Sequence, residues 1–522
     1  SASTLTVNST ADSGPGTLRD TIATSNSGDT VNFDPTVVGT ISLTTGEIAI
    51  NKTLTITGPG ADIVTVSGNN LSRVFNIAAS PVTISGLTIA DGTSGGNGGG
   101  IFIAGDGISI TVDHCTLLNN QTPFGTGGAI SASGPTTGPN LTIMSSTFLT
   151  NTAQGNGGAI DSPGITLNIS QSSFIGNITH TNGGALSIGT GTTTITNSTF
   201  AQNHADGHGG AINDGGFGVT YTIKFCTISG NTAGTGGGIQ STPNVTARDS
   251  IIAGNTASVA GPNCSGTITD GTFNLVDDQT NCAGFGGTTV GGNPLLRPLA
   301  ARFGAPLTFG LATNSPAIDA GNNTGAPGTD EAGTGRPVNG TVDIGATEAN
   351  CTFCDDFNDS LVDVKWTYTK SINQWSEDGA SLVGTATKKV TAVASPVFNG
   401  CQKCVIETTM QTNGAVGNKI WFYGWRTDKN NGIELLMKQE RNKWILRQRV
   451  GGVIVAKAKA TRTINIQTNY TIRIDFDGSI FRVFMDTETT PMLTLTAVGS
   501  PSGTVGFGVR GTVGSFDYIA VN

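Results

Sequence analysis

Charge is scarce in this chain. Only 12% of its 522 residues are Asp, Glu, Lys or Arg, and it holds 4 His, 5 Met and 5 Tyr. Long solvent-exposed helices and coiled coils draw on charged and long-chain residues, so an architecture built on them is excluded. No stretch of about 18 apolar residues occurs, which excludes a membrane-spanning helix. The net charge of −9 is unevenly spread. Residues 1–350 hold 8 Lys/Arg against 21 Asp/Glu, and residues 351–522 hold 19 against 15. A long acidic part argues against nucleic acid as a partner; the basic remainder suits an anionic polymer. The break near residue 350 predicts two domains, 1–350 and 351–522.

What the chain has instead is Gly (76 residues) within a Thr/Ser/Asn-rich background, a composition suited to strands and turns. The glycines are ordered. Gly98-Gly99-Gly100-Ile101 returns as Gly127-Gly128-Ala129-Ile130, Gly157-Gly158-Ala159-Ile160, Gly183-Gly184-Ala185-Leu186, Gly209-Gly210-Ala211-Ile212 and Gly236-Gly237-Gly238-Ile239, at spacings of 29, 30, 26, 26 and 27. Between the copies runs a second phrase, an apolar residue three before Asn: Leu117/Asn120, Phe148/Asn151, Phe174/Asn177, Phe200/Asn203, Ile228/Asn231 and Ile252/Asn255. Two phrases at one period mean one structural unit per period. Alternating runs such as Leu141-Thr142-Ile143 and Ile165-Thr166-Leu167 make that unit a set of short strands.

The prediction is all-β: a right-handed parallel β-helix, its coils stacked about 4.8 Å apart. Ile/Leu and Phe columns fill the bore, and Asn forms a ladder from coil to coil. Glycine and Asn therefore serve structure. Ser13-Gly14-Pro15-Gly16 followed by Thr17–Ala23 predicts a short N-terminal helix capping the open end, with Thr17 as N-cap and Leu18 and Ile22 facing inward.

All five Trp lie beyond residue 350. Runs at 420–426, 432–438, 443–450, 453–459, 470–475, 481–485 and 506–509, separated by turn signals, predict an antiparallel β-sandwich of the jelly-roll kind.

Four groups of residues carry candidate chemistry. Counted from the Asn ladder, His180 falls level with Asp206 and Asn182 with His208, while Asp161 and Asp214 follow the glycine phrase two coils apart. His180, Asp206 and His208 would share one edge within about 5–10 Å, with Asp161 and Asp214 as further acids. Such a set can act as acid and base on a polysaccharide; the plainer reading is a solvated turn. In 420–425, alternation puts Trp421, Tyr423 and Trp425 on one face, either core or a platform for sugar rings, with Arg447, Arg449, Lys457 and Lys459 near by as groove or edge charges. Asp355, Asp356, Asp359 and Asp517, at the two ends of the sandwich, are oxygen ligands suited to a structural calcium; otherwise they are turn carboxylates. No cofactor is required.

Among the cysteines, Cys115 and Cys226 read as buried thiols, and Cys264 with Cys282 closes a loop. Cys351-x-x-Cys354 and Cys401-x-x-Cys404 read as two crossing disulfides in an exported chain, with zinc as the alternative. The chain opens directly on strand-like Thr4–Val7, as a processed exported protein does, and the expected place is secreted, extracellular or at the cell surface.

The GGA[I/L] and FxxN phrases resemble the repeat of chlamydial polymorphic outer-membrane proteins, which are autotransported β-helix adhesins. The flanks are similar to secreted bacterial β-helix proteins of the choice-of-anchor type: Gly16-Thr17-Leu18-Arg19 with Ile22, Gly28–Phe33, Leu54–Ala61, Asn293–Leu296, Ser315–Gly321 and Asp343–Glu348 match that group's motifs. Asp355–Asp359 and Ser515–Ile519 resemble the ends of laminin-G-like or concanavalin-like jelly rolls. Together these imply a surface or matrix protein in which a rigid β-helix carries a module for polysaccharide or cell-surface glycan. The rivals are a polysaccharide hydrolase or lyase acting on the β-helix face, and the protomer of an extracellular filament.

Overall fold

In a computed structural model the chain divides into two compact units, Ser1–Arg297 with Ala305–Ala349, and Pro298–Gly304 with Asn350–Asn522. The structure describes residues 2–134, 138–215, 219–241, 245–300, 306–312, 315–338, 340–349, 353–355, 366–369, 375–377, 382–386, 390–394, 404–412, 419–486, 488, 490–499, 501, 504–510, 512–516 and 519–521. Among these, no helix is long and apolar enough to cross a membrane.

The first unit is a parallel β-solenoid. One full coil reads Ile130–Ser133, Asn140–Met144, Thr147–Leu149 and Thr152–Ala153. The first two strands join a 20-stranded parallel sheet, the third a 10-stranded sheet and the fourth a 6-stranded one. The repeated phrases stack in register. Ile101 pairs with Ile130, then Ile160, Leu186, Ile212 and Ile239. Leu117 pairs with Phe148, then Phe174, Phe200, Ile228 and Ile252. The rings of Phe148, Phe174 and Phe200 stack at 4.5 and 4.8 Å. Each column is buried in one continuous core.

The Asn column is a ladder. Asn177 Nδ2 donates to Asn203 Oδ1 (2.9 Å) and to the Phe148 carbonyl (3.0 Å). Its Oδ1 accepts from the Asn151 backbone N–H (3.0 Å) and Asn151 Nδ2 (2.9 Å). The same pattern runs from Asn120 to Asn255. Every capacity of the buried amide is used, which is what allows it inside. The two glycines of each phrase do different work. Gly127 has φ of +65°, and a Cβ on Gly128 would lie 2.3 Å from the Gly158 carbonyl oxygen of the next coil.

A second ladder escapes the sequence reading. Ser146, Ser172 and Ser198 accept through Oγ from Cys115 N–H, Ser146 N–H and Ser172 N–H, and Ser250 accepts from Cys226 N–H. Cys115 and Cys226 thus stand in a serine column two residues before the bore residue, buried as expected. Burial pushes both thiols up to about 12.

The helix Leu18–Thr24 forms with Thr17 as N-cap, and Leu18 and Ile22 enter the core. Toward the other end, residues 306–312, 315–338 and 340–349 form a strap across the 10-stranded sheet. Thr199 Oγ1 meets Thr308 Oγ1 at 2.8 Å, Ala346 N–H donates to Thr227 Oγ1 (3.0 Å), and Asn322 N–H donates to Asp249 (2.7 Å). Within this strap Arg336 and Glu348, both fully buried, pair at 3.4 Å. Cys264 and Cys282 are joined, with Cα atoms 5.1 Å apart.

The second unit is two antiparallel sheets of nine and seven strands around a shared core. The seven-stranded sheet runs Trp366–Thr369, Val390–Ala394, Thr504–Arg510, Lys419–Asp428, Asn431–Lys438, Lys443–Val450, Val453–Thr461. Of the twin CxxC and calcium candidates, Cys351, Cys401, Asp356, Asp359 and Asp517 lie outside the described residues. Cys354 and Asp355 fall on the strand Phe353–Asp355 and Cys404 on Cys404–Thr412; their side chains lie outside what the structure describes.

Candidate functional site

Two places gather chemistry. The first is the edge of the solenoid. Ile178 pairs with His204 and Thr179 with Ala205, so His180 meets Asp206. His180 Nδ1 lies 2.9 Å from Asp206 Oδ2, and His204 Nε2 lies 3.0 Å from Asp206 Oδ1. His204 Nδ1 meets Thr232 Oγ1 at 2.7 Å. His204 is the member missed from sequence. Residues 204–208 form a strand, not a turn, and on a strand residues i and i+2 share a face. Hydrogen bonds from the two imidazoles hold the Asp206 carboxyl below its usual range, although its side chain is 53% exposed. His208 joins this edge through its backbone N–H, which donates to Asn182 Oδ1 (2.9 Å).

Asp161 and Asp214 are not part of that edge. Asp161 stands four residues after Gly157 and pairs with Ser187, whereas Asp214 stands five after Gly209 and pairs with Ile188. A one-residue offset on a strand reverses the side-chain direction, so the two acids occupy different columns. Both are buried. Burial pushes the Asp161 carboxyl up to about 6 against hydrogen bonds from Thr126 and Ser187. Among the described residues, no group of three or more His, Cys, Asp or Glu is arranged to hold a metal ion.

The second place is the outward face of the seven-stranded sheet. The predicted trio of aromatics does not share one side. Trp421 and Tyr423 pack outward with Leu436 and Ile445. Trp425 sits in the core instead, edge-on to Phe476 (5.4 Å) and Phe481 (4.9 Å). The cause is a β-bulge: the register slips between Tyr423 and Arg426, and Trp425 takes φ of +50°, which turns its side chain inward. All three rings are buried, so none offers an open platform.

Beside Tyr423 lies a shallow cleft lined by Arg426, Asp428, Asn431, Glu434 and Arg449 among others. The Arg426 guanidinium is 4.5 Å from the Tyr423 ring centroid. Glu434 is shared by Arg447 and Arg449, the latter at 3.2 Å. Asp428 is occupied by its own turn, accepting from Asn430 N–H (2.6 Å) and Asn431 Nδ2 (2.9 Å). Arg426 Nη1 is different. It is buried and, among the described residues, has no hydrogen-bond acceptor. Buried donors normally find one.

The Chlamydia polymorphic membrane protein repeat model matches residues 145–163, the stretch holding Phe148, Asn151 and Gly157–Ile160. No curated protein sequence matches the chain. Solved structures that resemble part of it include carbohydrate binding module CBM66 from Bacillus subtilis (13% identity, 30% of this chain and 95% of that one, TM-score 0.27). A beta-1,3-glucanase from Mycobacterium marinum gives 14% identity over 33% of this chain and 99% of its own, with a TM-score of 0.28. Bacillus licheniformis beta-glucanase gives 12% identity over 34% and 99%, also at 0.28. Likenesses of this size do not extend to function.

Proposed function

We propose that this is an exported surface or extracellular-matrix protein in which a stiff β-solenoid is joined to a glycan-binding β-sandwich, and that it binds its glycan without cleaving it. The observation that carries the binding is the orphan donor at Arg426 Nη1. It stands in a cleft with one further guanidinium fork (Arg449), a lysine, two carboxylates and an amide. Sugars present hydroxyls that both accept and donate, and this is a mixture of charged donors, carboxylates and an amide that takes them. The fully bonded Asn ladder supports the stiff role, because each coil is tied to the next through buried groups. Export is supported by the Cys264–Cys282 disulfide and by the match to the polymorphic membrane protein repeat.

A glycan array probed with the full chain tests this, with Arg426→Ala and Arg449→Ala alongside. Binding of at least one glycan, weakened tenfold or more by either substitution, is expected; an array without signal sinks the reading. The rival, polysaccharide cleavage, draws on Asp206 held between two imidazoles. It predicts release of reducing ends or unsaturated sugars that Asp206→Asn abolishes.

A further inference from the structure

The cleft uses one end of the outward sheet face; the other end carries a line of cations. Arg510 pairs with Lys419 across neighbouring strands. Ile420 pairs with Met437, which sets Lys419 beside Lys438. Lys438 in turn pairs with Lys443. Val509, Ile420, Met437 and Trp444 point into the core, so the adjacent Arg510, Lys419, Lys438 and Lys443 all point outward. Arg510 and Lys443 are exposed, Lys419 and Lys438 half-buried. The next strand extends the charge: Lys459 pairs with Ile445 and Lys457 with Arg447.

Like charges directly opposite one another on neighbouring strands destabilise a sheet. Here three such pairs run side by side. Among the described residues no carboxylate forms an ion pair with any of the four, and the nearby Glu434 is already taken by two arginines. Partial burial, with the charges of Lys419, Arg441, Arg447 and Lys457, holds the Lys438 amine below its usual range. Folding gives no reason for this arrangement, and an anionic ligand does.

We propose that the row Arg510–Lys419–Lys438–Lys443 binds an acidic polysaccharide laid across the strands, one carboxylate or sulfate per sugar meeting successive cations. This rests on the glycan reading above and gives it a substrate class. Strands lie about 4.8 Å apart, a repeat on the scale of one sugar in an extended chain. Duplex nucleic acid packs its charge more densely, one per about 1.7 Å of axis, and fits the row less well.

The test uses the full chain with four probes: heparin, polygalacturonate, neutral dextran and duplex DNA. The Lys419→Gln/Lys438→Gln double variant is compared with the parent, and its melting temperature is checked to be unchanged or raised, as relief of repulsion requires. Binding to heparin or polygalacturonate is expected, weakening as salt rises, with at least a tenfold loss in the double variant. Heparin alone identifies sulfate, polygalacturonate alone carboxylate. Equal affinity in parent and variant overturns the proposal, as does tighter binding to DNA than to either acidic glycan. Should dextran bind while the acidic probes do not, the row is refuted and the glycan reading stands; a chain that binds no glycan on the array refutes both.

Discussion

Replacing Asn177 with Ala removes one rung from the middle of the ladder, and the cost can be worked from its four bonds. The side chain is fully buried. Its loss takes the acceptor away from the Asn151 backbone N–H and from one proton of Asn151 Nδ2. It also takes a donor from the Phe148 carbonyl. Asn203 Oδ1 is spared, because the Asn177 backbone N–H still donates to it at 3.0 Å. A buried donor left without a partner costs about 1–3 kcal/mol, so the two orphaned donors together cost about 2–6 kcal/mol. Repeat proteins need not unfold in one step, so a single global midpoint is a poor readout. Amide hydrogen exchange across neighbouring coils, with chemical denaturation of the solenoid transition, reads the loss where it occurs. Protection should fall at Asn151 and its neighbours before it falls at distant coils. A loss below about 1 kcal/mol, no more than a typical surface substitution, would refute the claim that the ladder holds coil to coil.

Three further outcomes follow from the same geometry. The Asp161 carboxyl is raised by burial from 3.8 to about 6, so the folded state binds the proton more tightly than the unfolded one. Its contribution is complete below about pH 3.8 and is lost as pH rises toward 6, a swing of about 3 kcal/mol. Asp161→Asn should remove that swing, read as the difference in denaturation free energy between pH 4 and pH 7 relative to the parent. Trp425→Ala should destabilise the sandwich by about 3–5 kcal/mol, as core aromatics do, and a melt that leaves stability unchanged would return Trp425 to the surface. Cys115→Ser and Cys226→Ser should each change stability by less than about 1 kcal/mol, since serine fills the same column in other coils and makes the same bonds; both native thiols should resist a thiol reagent until the chain is denatured.

The period, the columns and their register were legible in the sequence because in a solenoid they are local facts. Residues one repeat apart stack, so counting Gly-Gly and Asn positions is equivalent to reading the pairing of Ile130 with Ile160 or Phe148 with Phe174. The helix cap was legible for the same reason, through Thr17 and its apolar face. Seven of the second unit's sixteen described strands were legible from alternation and turns. The serine ladder carried a signal too, a Ser or Cys always two before the bore residue, but only the hydrogen bonds give it meaning.

What the tertiary structure alone decided is where periodicity is broken or faces meet. A single bulge sent Trp425 into the core and split the aromatic trio. A one-residue difference in offset separated Asp161 from Asp214, and an extended rather than turned segment brought in His204. The strap over the 10-stranded sheet joins residues more than a hundred positions apart. The cation row requires four strands drawn from 419–450 and 504–510 to lie side by side. Repetition writes its own register into the sequence; pairing between distant, non-repeating strands is fixed by packing, and no local pattern records it.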